Sequence, residues 1–561
     1  MFSASHAMRL FCPVCWAQRG RAGEMPAVRV ETLALAASLF FALACNGLFW
    51  HAVLADRPLA RMGTLLFSLG LGVAMTALQF VFLALLMNRW TAKPVLAIFI
   101  VCTAVATYYM NAFTVFIDQD MLRNVLRTDV SEASELLSLG MLPHLALYAG
   151  LPLALLWRVR IKREAWRRAL TGRLFSMALA FGVAVLALLS VYSQLAPLMR
   201  NHKEIRYLVT PGNVAYSLVH VLNNEASAAQ RPRLPVGTDA TLGAGWAERK
   251  KPVLFVIVVG ETVRAANWGL SGYARQTTPK LAQREVINFA QMTSCGTNTE
   301  VSVPCMFSVH GRRHYDDAKI HQSESLLNVL SHAGFNVLWR DNQSGCKGAC
   351  TGVGEERLSN AKVPELCDGQ RCLDEILLHD LDRVLADRRG NRVLVLHQLG
   401  NHGPAYFERY PAAFRRFQPT CDTADIATCS TESIVNSYDN ALLYTDHVLA
   451  KTIDFLRRQA PEYDTAMIYL SDHGESLGEN GLFLHGVPYA IAPAEQTRVP
   501  LVMWFSPEYA RDFGVDTGCL RARAARPASH DNLFHSVLGL LDVRTHVYDA
   551  ALDVSAACRS G

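Results

Sequence analysis

Charge is missing from long stretches of the first third of this 561-residue chain. Met62 to Met87 holds no Asp, Glu, Lys or Arg, and four more apolar runs lie at roughly 31–55, 94–117, 141–159 and 174–193. Each is near the ~20 residues that carry a helix across a bilayer core. With 51% hydrophobic and 18% charged residues overall, the composition excludes an ordinary soluble enzyme. A strong net charge is also absent: +5 over the whole chain leaves no electrostatic footprint for nucleic acid. No cleavable signal peptide is evident, and five apolar runs are too many for one. Paired CxxC knuckles are missing too, despite 14 cysteines.

What charge there is sets the orientation. Residues 158–173 (RVRIKREAWRRALTGR) carry seven Arg/Lys and one Glu, which places them in the cytoplasm with NRWTAK (88–93) and the N-terminus. The loop 118–140 holds Asp118, Asp120, Asp129, Glu132 and Glu135 against two arginines and belongs outside. Five spans then leave everything after about 194 outside. The cysteines agree. Ten lie beyond residue 290, eight of them in close pairs: Cys295/Cys305, Cys346/Cys350, Cys367/Cys372 and Cys421/Cys429. On the oxidising side of a membrane these read as disulfides, and Cys519 and Cys558 are candidates for a fifth. Cys12 and Cys15 form an isolated CxxC in an N-terminal extension.

The expected organisation is a cytoplasmic extension (1–30), a five-helix transmembrane domain (31–193), a connector (194–250) and a catalytic α/β domain (251–561). Within the connector, YLVTPGNVAYSLVHVL (207–222) suits either an interfacial helix or packing on the globular domain. Beyond it, KPVLFVIVVG (251–260), NRVLVLHQLG (391–400) and TAMIYLSDHG (465–474) are short continuous apolar runs, read as buried strands of a largely parallel sheet. Intervening stretches predict helices over 325–334, 374–388 and 440–459.

Each strand ends in a polar cluster: Glu261-Thr262, Asn401-His402-Gly403, and Asp472-His473-Gly474-Glu475. Ligands of open α/β sheets bind at the carboxyl ends of strands. Glu261, Asp472, His473, His402 and His485 form a set without thiolates, which suits zinc first and manganese second. His310, His314, His379 and His397 read as structural. The segment SCGTNTEVSVPCMFS (294–308) sets Thr297 and Thr299 between two cysteines, and a threonine beside a divalent cation is an activated nucleophile. A helix opening after Thr299 would add its dipole.

These motifs, with GETVRAANWGLSGYARQTTP (260–279), WRDNQSGCKG (339–348), HGPAYFERYP (402–411), YDNALLYTD (438–446) and SDHGESLGENGLFLHG (471–486), resemble the lipid A phosphoethanolamine transferases, the colistin-resistance enzymes among them, within the alkaline-phosphatase-like superfamily. The resemblance runs from about residue 30 onward. It implies an N-terminal five-helix transmembrane domain joined to a periplasmic α/β domain of alkaline-phosphatase/sulfatase-like fold, in the bacterial inner membrane. It implies Glu261, Thr299, Asp472 and His473 as ligands of one tightly bound Zn2+, the number beyond one being open, with Thr299 also the nucleophile. It implies His402 and His485 at the substrate phosphate or a second zinc, and Lys347 with Ser344 at the phosphoryl group; Gln343 is a further contact. Asn124, Thr128 and Glu132, spaced four apart as on one helix face, match the family's lipid-substrate trio; without the resemblance they read as a solvated face.

The implied reaction moves phosphoethanolamine from phosphatidylethanolamine to lipid A by a monomeric enzyme, lowering surface charge and conferring polymyxin resistance. Alternatives are a core sugar of lipopolysaccharide or a periplasmic glucan as acceptor, or a phosphoglycerol transferase on the same fold. A sulfatase would need a modified Cys or Ser nucleophile that TNTEVSVP does not provide. A membrane sensor with an inactive enzyme domain is opposed by the complete ligand set. For Glu300, next to the nucleophile, the sequence supplies no physical account.

Overall fold

The computed structural model describes residues 27–560, except 56, 59, 129–132, 134–135, 230–231 and 387–389. Cys12, Cys15 and Glu132 lie outside the described residues. The chain forms two compact units. The first comprises the chain to residue 112, with 116–118 and 139–218; the second holds 113–115, 119–138 and 219 onward.

All five apolar runs of the first unit are helical. Among the described residues, three helices are long and apolar enough to cross a membrane: Met62–Leu86, Ala92–Phe113 and Trp166–Asn201. The first run is not one rod. Val30–Ala44 and Gly47–Leu54 meet at 53° and make a fourth span only if counted together, and Met141–Trp157 is shorter. Expectation and structure differ at Asn46, for a physical reason. A bend frees backbone groups that hydrocarbon cannot solvate. The Asn46 amide donates to the carbonyls of Phe41 (2.6 Å) and Thr210 (2.9 Å), and its oxygen accepts the Thr210 N–H (2.8 Å). Gly70 brings Met62–Leu86 against Trp166–Asn201, since a Cβ there would lie 2.6 Å from Val191, the small-residue contact expected of packed membrane helices. Leu65, Leu66, Leu69, Phe175, Leu179 and Leu186 point outward and exposed, as a lipid-facing surface requires.

An eight-stranded sheet organises the second unit. In chain order its strands are β1 (Val253–Gly260), β2 (Ile287–Thr293), β3 (Asn336–Asp341), β4 (Gly354–Arg357), β5 (Arg392–His397), β6 (Asp464–Ser471), β7 (Arg498–Phe505) and β8 (Ala528–Ser529). They lie in the order β8-β2-β7-β6-β1-β5-β3-β4. Every pair is parallel except those of β7, which runs antiparallel to β2 and β6. β1, β5 and β6 are buried along their whole length, which is why each is a continuous apolar run. The structure pairs Cys295 with Cys305, Cys346 with Cys350, Cys367 with Cys372, Cys421 with Cys429, and Cys519 with Cys558.

The helix expected over 440–459 extends over Thr431–Gln459, capped by the Ser430 hydroxyl. The one expected over 374–388 is broken. A 3-10 turn, Asp374–Leu378, is separated from Leu381–Ala386 by Asp380 at φ 55°. Within the turn, the Asp374 carboxylate accepts the backbone N–H groups of Leu399 (2.8 Å) and Gly400 (2.9 Å) and the Asn342 amide (2.8 Å). It is spent on fixing the loop that follows β5.

Candidate active site

Parallel register delivers the first two groups. Gly260 pairs with Ser471 across β1 and β6, and the next residues are Glu261 and Asp472. Neighbouring strands are ~4.8 Å apart, so the carboxyls meet without any loop to bring them together. Both are fully buried, as is His473. Asp472 Oδ1 accepts the N–H of His473 (2.7 Å) and of Thr262 (3.2 Å), and Thr262 takes φ 52°, uncommon for a β-branched residue. The loop after β5 closes over the same edge. Gly400 has φ 55°, and a Cβ there would lie 2.6 Å from the Glu261 carbonyl oxygen, so only glycine fits.

Thr299 arrives on the helix Thr299–Met306. Asn298 caps it, its side chain accepting the Val301 N–H at 3.0 Å, so Thr299 occupies the first helical position, at the positive end of the dipole. Its hydroxyl donates to Glu261 Oε2 at 3.0 Å and stands 3.4 Å from His473 Nε2. Ser302 ties the same helix to the end of β6 by donating to the Asp472 carbonyl, and the Cys295–Cys305 bond closes the segment.

The donor set fits a cation. Glu261, Asp472 and His473 each offer one ligand atom, all within 4.8 Å of one another. His473 Nδ1 donates to the Gly474 carbonyl at 2.9 Å, which leaves the lone pair on Nε2. That nitrogen faces Glu261 Oε1 and Asp472 Oδ2, each at 3.4 Å, and Asp472 Oδ2 is buried without a hydrogen bond. A lone pair and two carboxylates crowded together out of water are unfavourable unless a cation sits among them. Burial pushes the Asp472 carboxyl up to about 6. Burial, with His485 adding to it, holds the His473 imidazole well below its usual range, hence neutral, the form that ligates. Two carboxylates, an imidazole and a hydroxyl suit zinc.

A chain of hydrogen bonds leads away from this centre. Lys347 Nζ donates to Ser344 Oγ (2.6 Å), Ser344 Oγ to Gln343 Oε1 (2.7 Å), and Gln343 Nε2 to Glu261 Oε2 (3.1 Å). Lys347 and Ser344 thus reach the site through Gln343, and Lys347 takes φ 50° to do so. On the other side the His485 ring lies 4.4 Å from that of His473 and 5.7 Å from that of His402.

Four contacts give roles that the sequence reading did not assign. Glu475 is fully buried, with Oε2 3.4 Å from His485 Nδ1; its place in the Asp472-His473-Gly474-Glu475 cluster was the available signal. Thr297 donates to the Val487 carbonyl (2.8 Å) and accepts the Gly486 N–H (2.8 Å), bracing the His485 loop. His530 accepts the Cys295 N–H (3.0 Å) on Nδ1 and donates from Nε2 to the Ser471 carbonyl (3.0 Å). Arg127 Nη1 donates to Glu300 Oε1 at 2.5 Å. Burial raises the Glu300 carboxyl, opposed first by Arg127 and next by Lys347. His397 is structural as expected, bonded to Asp341 at 2.6 Å.

Of the trio expected at a lipid site, Asn124 and Thr128 lie among the described residues. Helix Gln119–Arg127 contains Asn124 and ends before Thr128, whose hydroxyl and N–H both bond back to the Asn124 carbonyl (2.8 and 2.9 Å).

The sequence profile of a family described as Phosphoethanolamine transferase EptA/EptB matches residues 75–226, and one described as Sulfatase matches residues 254–543. Phosphoethanolamine transferase EptA of Escherichia coli strain K12 is 37% identical over 540 residues, 96% of this chain and 98% of that relative. Phosphatidylethanolamine transferase Mcr-1 of Escherichia coli is 35% identical over 522 residues, 91% of this chain and 94% of the relative. The integral membrane lipooligosaccharide phosphoethanolamine transferase A of Neisseria meningitidis has a solved structure that matches with a TM-score of 0.90 at 37% identity, over 96% of this chain and 100% of that one.

Proposed function

The chain belongs to the phosphoethanolamine transferase family, and on that premise we propose that it moves phosphoethanolamine from phosphatidylethanolamine to a phosphate of lipid A through a covalent intermediate on Thr299. The observation that carries the reading is the Thr299 hydroxyl, at the start of a capped helix, bonded to Glu261 and facing the unprotonated nitrogen of His473.

Glu261, Asp472, His473 and Thr299 would hold a zinc ion, whose charge favours the ionised hydroxyl at neutral pH. In the first step the Thr299 Oγ–phosphorus bond forms and the bond from phosphorus to the glycerol oxygen breaks. Diacylglycerol leaves with the proton that Thr299 gives up. In the second step a lipid A phosphate oxygen attacks phosphorus, the Oγ–phosphorus bond breaks, and Thr299 regains the proton that the lipid A phosphate gives up. Glu261 Oε2 orients the hydroxyl at both ends of the cycle. Gln343 holds Glu261 in place, and Ser344 fixes the Gln343 amide. Lys347 supplies positive charge, and His402 and His485 hydrogen-bonding groups, for the phosphoryl oxygens; the two histidines are also the residues that would take a second zinc.

The reading places the first unit in the bacterial inner membrane and the catalytic unit in the periplasm, as a monomer. It makes the outer surface less anionic and so weakens cationic peptides such as polymyxins. Mass spectrometry of lipid A from cells expressing the chain tests it. Addition of one phosphoethanolamine is the expected result, lost in Glu261→Ala and Thr299→Ala. Unmodified lipid A with phosphoethanolamine on the core sugars or on glucan would move the acceptor. No modification anywhere would sink the reading.

A further inference from the structure

Glu300 sets a carboxylate one residue from the atom that must meet an anionic phosphoryl group. It is fully buried and bonded to Arg127, the last residue of helix Gln119–Arg127. The same helix is held at two other points. Arg123, itself buried, donates through both terminal nitrogens to Asp317 (2.7 and 2.8 Å), at the start of helix Asp317–Gln322. Met121 packs so closely on the loop after His485 that a Cβ at Gly486 would lie 2.5 Å from its Cε. Three anchors, to the nucleophile's helix, to its neighbour and to the His485 loop, fix this short helix over the site, while Val125 and Leu126 are left exposed.

We propose that Glu300 and Arg127 form a latch that locks helix Gln119–Arg127 onto the nucleophile's helix, so that Asn124 and Thr128 are held in register with Thr299 when the donor is a membrane lipid. Both are positioning residues: neither touches the reacting atoms, and they act through the helix they join. A charge-assisted contact between a half-exposed arginine and a buried carboxylate suits this because its direction is fixed. A carboxylate beside the nucleophile is then tolerable because its own cation faces it. The proposal rests on the transferase reading and adds how the lipid donor is oriented.

The test uses full-length protein in mixed micelles and two donors, long-chain phosphatidylethanolamine and water-soluble glycerophosphoethanolamine. The variants are Glu300→Gln and the double variant Glu300→Gln/Arg127→Gln, neither of which leaves an unpaired carboxylate beside Thr299. A loosened helix raises KM for the long-chain lipid by about 10-fold and leaves kcat within about 2-fold. It leaves the soluble donor unaffected in both variants. Equal loss on the two donors, or no loss on the lipid, would overturn the latch. Wild-type protein that transfers from neither donor would instead overturn the transferase reading, and the latch with it.

Discussion

Replacing Thr297 by Val deletes a hydroxyl that donates to the Val487 carbonyl at 2.8 Å from a position 4% exposed. Shape is conserved, so the change leaves a buried carbonyl without its donor, at a cost of about 1–3 kcal/mol. The Gly486 N–H still donates to the Thr297 carbonyl, so the His485 loop keeps one of its two ties to Thr297. At roughly 2–4 °C per kcal/mol for a unit this large, the melting temperature falls by about 2–12 °C. Transfer slows within about 100-fold, the scale of a misplaced binding group. Replacing Thr299 by Val has the opposite signature. Its hydroxyl is equally buried, but its acceptor, Glu261 Oε2, keeps the Gln343 amide at 3.1 Å. Stability therefore changes by about 1 kcal/mol or less, while loss of the attacking oxygen removes at least about 10,000-fold of the rate. Thermal unfolding of the purified chain and release of diacylglycerol measure the two quantities side by side. A Thr299→Val protein within tenfold of wild type would refute the assignment of the nucleophile. A Thr297→Val protein that is inactive at wild-type stability would refute the bracing role.

Exhaustive chelation abolishes transfer and lowers the unfolding midpoint, and added zinc restores both; an ion at 100 times its Kd contributes about 2.7 kcal/mol, and unchanged activity after chelation would remove the metal from the account. Cys295→Ser/Cys305→Ser opens a loop with sequence separation 10 and costs about 2.5–3 kcal/mol, read as a lower denaturant midpoint than that of the oxidised wild type. Glu375 is held down at about 2, against 4.5 for a free carboxyl, by its hydrogen bond to His447 and by Lys451. A lowered pKa means stability present above pH 4.5 and lost as pH falls from 4.5 through 2. Glu375→Gln is therefore less stable than wild type at pH 7, by on the order of 1 kcal/mol after solvent screening, and equal to it near pH 2; a pH-independent gap would contradict this.

What the sequence makes legible follows from periodicity and local chemistry. β1, β5 and β6 announce themselves because strands covered on both faces need continuous apolar runs, and the polar cluster after each marks the edge where chemistry sits. Antiparallel β7 is not separable in this way, since its run RVPLVMWF carries no trace of direction. The pairing of Gly260 with Ser471 makes Glu261 and Asp472 neighbours, and no spacing along the chain encodes it. The choice between Thr297 and Thr299 is written locally: Asn298 is a strong cap, so the residue after it opens the helix. Asn46 and Asp374 are the reverse case. Each spends its side chain on backbone groups of a distant segment, Thr210 for one and Leu399 with Gly400 for the other, and local patterning cannot anticipate a partner that only the fold supplies.

Charge decides why Glu300 is tolerated, and the argument yields an ordering of variants. Glu261 and Asp472 bring two negative charges, which a divalent cation would match, and His473 is neutral. Glu300 is matched by Arg127, which leaves Lys347 to meet the incoming phosphoryl group. Removing one member of a buried pair costs more than removing both, because the survivor keeps an uncompensated charge. In Glu300→Gln the survivor is Arg127, 38% exposed and able to reach water. In Arg127→Gln the survivor is a fully buried carboxylate, and after Arg127 the cation acting on it most strongly is Lys347. Glu300 then competes with substrate for that ammonium. Arg127→Gln is expected to raise KM for both the lipid and the soluble donor, where Glu300→Gln affects the lipid alone. Adding Glu300→Gln to Arg127→Gln recovers the soluble donor while the lipid stays impaired. Steady-state kinetics on the three variants decide it. If Arg127→Gln and Glu300→Gln behave alike on the soluble donor, the Glu300 charge is not what Arg127 restrains.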